Sequence, residues 1–291
     1  MKTDKVWTLH AGCKVNLYLD IVGVREDGYH EIESLFYPLP APGDTLELRR
    51  VSGQGLRLSC SVPDLDSSQN ILSRAYERFA EATGFAPGVA AHLHKFIPMG
   101  AGLGGGSSDA AVFLCWLNTQ AADKALPSAD LAALALTLGA DVPFFLQQGP
   151  AWVTGIGEKL EPAPCDLIGF TVLVVCPGVH VDTKWAYRRW DEMHARGLVR
   201  PRKELTPEMS PIMSLCFTKP PRLWNGFEEV VFQEFPMLYE VKKQILNHFP
   251  EACVMSGSGS SFVALFSSPE TAGCCETAMR EMGFGCYATR A

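Results

Sequence analysis

The chain has 291 residues, 47% hydrophobic and 20% charged, which is enough apolar material for one large domain or two ordinary ones and too much for a disordered chain. Its formal net charge is -7 and its pI about 5.5, which excludes nucleic acid and anionic membrane as partners unless a basic patch exists, and the sequence has none. An anionic ligand must then be held locally, by backbone N–H groups and a few placed cations.

Residues 1–14 hold no apolar run of the signal-peptide kind. The longest apolar stretch, Leu167 to Cys176, is interrupted by Gly169 and Thr171 and is too short to span a bilayer. A cytoplasmic protein is expected. The 10 cysteines are scattered, with no C-x-x-C pair. Cys13, Cys115, Cys176 and Cys253 lie in apolar segments and read as small core residues. The vicinal pair Cys274 and Cys275 reads first as part of a helix of small residues and only second as a redox pair.

From Lys14 to Val24 the pattern alternates: Val15, Leu17, Leu19 and Ile21 share one strand face, and Lys14, Asn16, Tyr18 and Asp20 the other. Asp27-Gly28 signals a hairpin turn, and a strand returns from Tyr29 to Tyr37. Pro42-Gly43-Asp44 predicts a turn into a further strand, Thr45 to Arg50, and Leu56 to Cys60 is another. Ser67 and Ser68 precede a predicted helix from Asn70 to Thr83. Val89 to Ile97 reads as a strand ending at Pro98. His92 and His94 share a face of it at metal-ligand spacing, but with no third ligand evident a solvated face is the preferred reading.

The glycine run Gly100 to Gly106 follows, then a helix with almost no polar face from Ser107 to about Asn118, which implies burial on most sides. Ala129 to Leu138 is helical and ends at Gly139; Pro143 begins a short helix; Trp152 to Glu158 is a strand and turn. Composition changes near Pro162-Ala163-Pro164, a candidate domain boundary that divides the chain into 1–161 and 165–291. Beyond it come a strand (Gly169 to Cys176), a helix (Thr183 to Ala195), an irregular Pro-rich connection (Arg200 to Pro221) and two helices between Arg222 and His248. A strand (Ala252 to Met255), a glycine turn (Ser256 to Ser260) and a strand (Ser261 to Phe266) lead to a helix (Pro269 to Met282) and a last strand (Cys286 to Thr289). Strands and helices mix without regular βαβ repetition, so the expected class is α+β in two domains.

The central signal is Pro98-Met99-Gly100-Ala101-Gly102-Leu103-Gly104-Gly105-Gly106-Ser107-Ser108, between a strand and a buried helix. Missing side chains let a backbone wrap closely round a ligand, and a helix start offers free N–H groups and partial positive charge. Strand, glycine loop and helix start together make a phosphate cradle. The bland alternative is a surface turn capped by Ser107. Gly100, Gly102 and Gly105 also satisfy the dinucleotide pattern G-x-G-x-x-G, which wants an acid about twenty residues on at a strand end. Asp123 has that spacing, but Ala121 to Pro127 does not look like a strand. No lysine lies in the loop for a Walker A motif, and the protein-kinase motifs are absent.

The run resembles the phosphate loop of the GHMP kinases. Four further segments resemble the family's motifs in its order: Ala11-Gly12-Cys13-Lys14-Val15-Asn16-Leu17, Arg25-Glu26-Asp27-Gly28-Tyr29-His30, Leu138 to Phe145, and Met255 to Ser261. Gly12-Cys13 departs mildly from the commoner Pro-Ala. The longer glycine run and Asp-Gly-Tyr-His resemble the branch that acts on a cytidyl diphosphate sugar alcohol.

The resemblance implies an N-terminal domain of the ribosomal-S5-like domain 2 fold and a C-terminal ferredoxin-like α/β sandwich. It implies ATP with Mg²⁺, the metal ligands unassigned, and phosphorylation of the 2-hydroxyl of 4-diphosphocytidyl-2-C-methyl-D-erythritol in the non-mevalonate route to isoprenoid precursors. A monomer or weak homodimer is expected. ATP contacts are expected along Pro98 to Ser108 and at Asn70. Asp109 is charged against the phosphates and is assigned no contact. Lys14 and Asp141 are the expected catalytic residues, with Lys14 pairing with Asp141 if its strand face lines the cleft. From spacing alone Asp141, in Asp-x-Pro, reads as a helix cap, and only the resemblance makes it the base. Asn16, Tyr29, His30, Thr183 and Tyr187 are expected to contact substrate, Tyr29 by stacking on the base and Tyr187 as a possible opposing ring. The alternatives are a homoserine- or mevalonate-type GHMP kinase, a dinucleotide oxidoreductase, and a non-catalytic GHMP-like regulator.

Overall fold

The structure, a computed structural model, describes residues 5–65, 69–147, 149–199 and 223–290. The predicted serines 67 and 68 and the Pro-rich connection 200–221 lie outside the described residues. The chain forms two compact units that interleave along the sequence: Met1–Cys13, Pro42–Ile97 and Gly104–Gln148 in the first, Lys14–Ala41, Pro98–Leu103 and Gly149–Ala291 in the second.

In the first unit, strand β4 (Val89–His94) pairs antiparallel with the later part of β2 (His30–Arg50), Thr45 opposite His94 and Arg50 opposite Val89. On its other edge β4 pairs parallel with β3 (Leu56–Cys60). Val89, Ala91 and Leu93 alternate inward with Leu46 and Leu48, as the period of a half-buried strand requires. They meet helices α1 (Ile71–Thr83), α2 (Gly105–Gln120) and α3 (Ser128–Leu136). Ala110, Ala111, Phe113, Leu114 and Leu117 of α2 are all buried, which is why that helix lacks a polar face. Burying each such Leu or Phe contributes roughly 1.5–3 kcal/mol. His92 and His94 lie on the other face of the sheet, where His92 Nδ1 meets Ser59 Oγ at 2.7 Å. Among the described residues no cluster of three metal-ligating side chains occurs, there or elsewhere.

The second unit contains a four-stranded antiparallel sheet in the order β11 (Gly285–Arg290), β7 (Thr171–Cys176), β10 (Phe262–Phe266), β9 (Ala252–Met255). Helices α4 (Thr183–Ala195), α5 (Glu228–Glu234), α6 (Pro236–Leu246) and α7 (Pro269–Glu281) supply Trp190, Val230, Leu238 and Cys275 to its core. Burial holds the Cys275 thiol up at about 11, and Cys274 is exposed, as a helix of small residues predicts. The same unit holds the later part of β1 (Val6–Val24), the earlier part of β2, β5 (Ala151–Thr154), β6 (Lys159–Pro162) and β8 (Trp224–Asn225). Gly28, at φ +83, makes the predicted turn, with Gly28 N–H donating to Arg25 O.

Several boundaries differ from expectation. β1 begins at Val6, eight residues before the predicted Lys14. β2 runs unbroken through Pro38, Pro40 and Pro42, where a turn was expected. These prolines lie between the residues paired with β5 (34–36) and those paired with β4 (45–50), so no bond of either ladder needs their missing N–H. The contact division does not fall at Pro162–Pro164, because β1 and β2 each contribute to both units. Asp123 sits in a 3-10 turn, Ala122–Lys124, not at a strand end, which removes the support for a dinucleotide fingerprint.

Candidate active site

In the first unit, α2 starts inside the glycine run, two residues before the predicted Ser107. Its N-cap is Gly104 at φ +71, with no side-chain cap and no acid in the first turn. The N-cap residue therefore offers the first N–H groups no side-chain acceptor, and the helix dipole adds to them. Ser107 lies inside the helix, so it does not cap the turn. A Cβ on Gly105 would stand 2.9 Å from Ile97 Cγ2, whereas one on Gly106 would meet nothing within 4 Å. The two serines separate: Ser108 is 1% exposed, while Ser107 is half-buried with its Oγ 4.0 Å from where a Cβ on Gly139 would stand.

That contact brings the start of α2 beside the turn that carries Asp141. Asp141 is half-buried. The N-cap of the following 3-10 turn, Pro143–Leu146, is Val142, so Asp141 is not the cap that the Asp-x-Pro pattern suggested. Asn70 caps α1: its Oδ1 accepts from Leu72 N–H at 2.9 Å and its Nδ2 donates to Leu65 O at 2.8 Å. The amide has a second Nδ2 N–H and a second Oδ1 lone pair, so these two bonds do not bar a nucleotide contact by Asn70. Asp109 is buried and bonded to Lys95. Burial pushes its carboxyl up to about 7, with Lys95 opposing the rise and Asp44 adding to it.

In the second unit, the segment Pro98–Leu103 packs on the turn 256–261. A Cβ on Gly102, at φ +76, would stand 2.1 Å from Ser256 O, so only glycine fits there. Ser261 N–H donates to Ala101 O and Lys14 N–H to Leu103 O, at 3.2 and 2.9 Å. Gly100 lies under the His180 ring: a Cβ there would be 2.0 Å from Nδ1.

Lys14 is 5% exposed, which excludes an open strand face. Its Nζ donates to Asn16 Oδ1 at 2.7 Å and lies 4.3 Å from the centre of the Phe36 ring. Asn16 was expected to touch substrate. It is fully buried instead, its Nδ2 donating to Ser34 Oγ at 2.8 Å and its backbone N–H to Ser256 Oγ at 3.1 Å. Ser256 Oγ in turn donates to Gly102 O at 2.9 Å. Asn16 therefore orients Lys14 and ties β1 to the glycine segment. The supporting residues Ser34 and Asn225 were missed. Asn225 Nδ2 donates to Met255 O and Gly257 O, at 2.6 and 2.8 Å, and steadies the turn. The pair Asn225-Gly226 was a local hint in the sequence.

The predicted substrate residues gather in this unit. Tyr29 is 59% exposed. The ring stacked on Tyr187 is that of His30, at 4.5 Å and 29°, and His30 Nε2 meets Asp191 Oδ1 at 2.7 Å. Thr183, the first residue of α4, shares a hydrogen bond with Ser258, Oγ1 to Oγ 2.9 Å.

Residues 70–149 match the GHMP kinases N terminal domain. A 4-diphosphocytidyl-2-C-methyl-D-erythritol kinase of Solidesulfovibrio magneticus is 47% identical over 262 residues, covering 89% of this chain and 88% of the relative. The enzyme of the same name from Oleidesulfovibrio alaskensis is 40% identical and covers 91% and 92%. A crystal structure of 4-(cytidine 5'-diphospho)-2C-methyl-D-erythritol kinase superposes with a TM-score of 0.80 at 36% identity, over 97% of this chain and 98% of that one. An L. major mevalonate kinase, at TM-score 0.69 and 12% identity over 100% and 98% of the two chains, shares the fold.

Proposed function

Because the chain belongs to the 4-diphosphocytidyl-2-C-methyl-D-erythritol kinases, a family of GHMP kinases, we propose that it transfers the γ-phosphoryl group of ATP to the 2-hydroxyl of 4-diphosphocytidyl-2-C-methyl-D-erythritol, in the non-mevalonate route to isoprenoid precursors. The observation that carries the reading is the start of α2: a glycine N-cap, no acid in the first turn, and open space beside Gly106. Phosphoryl transfer needs positioning and charge neutralisation more than covalent chemistry. The backbone from Pro98 to Ser108 receives the ATP phosphates. Mg²⁺ brought with ATP would neutralise phosphate charge, and Ser107, the accessible hydroxyl of the two serines, would be the one able to offer it a ligand.

Asp141 takes the proton of the 2-hydroxyl as its oxygen bonds to the γ-phosphorus, and the bond from that phosphorus to the β,γ-bridging oxygen breaks to release ADP. Lys14, oriented by Asn16, is the second catalytic group and supplies positive charge. Tyr29 stacks on cytosine, with Tyr187 as the partner ring beyond His30. His30, whose Nε2 is engaged by Asp191, reads the base edge through Nδ1. Thr183 contacts the substrate from the start of α4. Among the described residues no helix is long and apolar enough to cross a membrane. The reading includes a cytoplasmic location and a monomer or weak homodimer.

A kinase assay on three acceptors tests it. The cytidyl compound should be phosphorylated, and homoserine and mevalonate, which have no base to stack, should not. Tyr29→Ala should raise KM for the cytidyl compound about 5- to 150-fold, the scale of one base–aromatic stack, with Tyr29→Phe near wild type. Equal turnover of the three acceptors would leave only a GHMP-type kinase.

A further inference from the structure

The phosphate loop has no lysine of its own, yet a buried lysine sits just before it. β4 ends at His94, and Lys95, Phe96 and Ile97 lead into Pro98. Three observations meet at Lys95. Asp44 of β2, with no exposed surface, accepts two of the three N–H groups of that lead-in on Oδ1: Phe96 N–H at 2.6 Å and Ile97 N–H at 2.8 Å. Its other oxygen, Oδ2, accepts from Lys95 Nζ. The same ammonium donates to Asp109 Oδ2 at 2.8 Å, and Asp109 lies on α2 just past the loop's exit. All three side chains are buried, at 6% exposure for Lys95, 0% for Asp44 and 2% for Asp109. Asp109 Oδ1 accepts no hydrogen bond among the described residues.

Two carboxylates against one ammonium make a poor stabilising device. Burying ions costs more than hydrophobic packing of the same volume, and one acceptor is left unmatched. What the arrangement does supply is geometry. One cation is tied to the strand that holds the N–H groups before the loop and to the helix that begins where the loop ends. A loop rich in glycine is conformationally permissive and needs its two ends fixed from outside. We propose that Lys95, bridging Asp44 and Asp109, is a positioning residue that fixes both ends of the loop 98–104 and so pre-forms the ATP phosphate cradle. The inference rests on the ATP-kinase reading. It adds the residues that hold the loop in its binding shape, none of which touches the nucleotide through its side chain.

The test uses Asp109→Ala and Asp109→Leu, the second an apolar near-isostere that folds if the cavity left by alanine does not allow it. Asp109→Asn is the conservative variant, which still offers Lys95 an acceptor oxygen. ATP binding is measured by titration of the intact protein, turnover by kinase assay, and loop protection by hydrogen exchange of residues 99–108 without nucleotide. Wild type must bind ATP, and its failure to do so would sink the kinase reading rather than this inference. With that control met, Asp109→Ala or Asp109→Leu should weaken ATP binding about 10-fold or more, the scale for misplacing a binding element. kcat at saturating ATP should stay within about 3-fold, loop exchange should rise, and Asp109→Asn should recover most of the affinity. A purely structural role would lower the melting temperature but leave the ATP Kd and loop exchange of the folded variant unchanged, and that result would overturn the proposal. Failure of Asp109→Asn to recover affinity, with Asp109→Leu equally weak, would overturn the lysine bridge as the cause.

Discussion

At the start of α2 the backbone supplies the polar groups, and around Lys14 the side chains do. The helix start presents N–H groups beside glycines, with open space at Gly106. The Lys14 neighbourhood is instead a closed chain of polar side chains, Lys14 to Asn16, Asn16 to Ser34 and Ser256, Ser256 to the Gly102 carbonyl, almost all of it buried. The two designs fail differently. A backbone site tolerates substitution according to space. A side-chain network tolerates it according to how many partners are left unsatisfied. Under the proposed function, space decides nucleotide affinity, whereas partners decide charge placement and stability.

The largest effect separates binding from chemistry. Asp141→Asn keeps the volume and removes the proposed base, so kcat should fall roughly 10²-fold or more while the ATP Kd barely moves. Lys14→Met should also act on kcat more than on ATP affinity. Normal turnover in Asp141→Asn, with weakened ATP, would break the comparison by making Asp141 part of the nucleotide cradle. A smaller effect tests the network. Asn16→Ala leaves the Ser34 hydroxyl and the Lys14 ammonium short of a partner while keeping the backbone N–H to Ser256, which should cost about 1–3 kcal/mol of stability by denaturant unfolding. Turnover should fall as Lys14 loses its orientation. Unchanged stability and unchanged kcat together would show that the network neither holds the fold nor aims the lysine.

The same contrast explains what the sequence made legible. The glycine run, the Asp27-Gly28 turn and helix Thr183–Ala195 are local patterns, and they stand where the pattern put them. The strand of Lys14 was legible too, but not its burial, because alternation implies one open face and this stretch is covered on both. Asn16 was read as a substrate contact because no short-range signal shows that Ser256, 240 residues on, accepts its N–H. The Asp44 and Lys95 pair was invisible for a similar reason: Asp44 looked like the close of a Pro-Gly-Asp turn, yet it lies inside a continuous strand and serves residues 52 and 53 positions away. The interleaved units follow from strand pairing between distant segments, which no composition shift near residue 163 records.

The smallest effect sharpens the comparison most, because its two readouts should move in opposite directions. Gly106 is in the first turn of α2, with an ordinary helical φ, and a Cβ there would meet nothing within 4 Å. Alanine is favoured over glycine in a helix by up to about 1 kcal/mol, because glycine loses more backbone freedom on folding. Gly106→Ala should therefore raise the melting temperature by roughly 2 °C. If the open space is where phosphate oxygens approach the N–H groups, the added methyl partly blocks them. ATP affinity should then fall about 5-fold, or ~1 kcal/mol. Gly102→Ala is the counter-case: its positive φ and the Ser256 carbonyl 2.1 Å from the new Cβ should lower stability and affinity together. Thermal melts and ATP titrations of the two variants read both quantities. A Gly106→Ala protein that is more stable and binds ATP as tightly as wild type would move the phosphates away from the start of α2, and with them the claim that the backbone does the binding there.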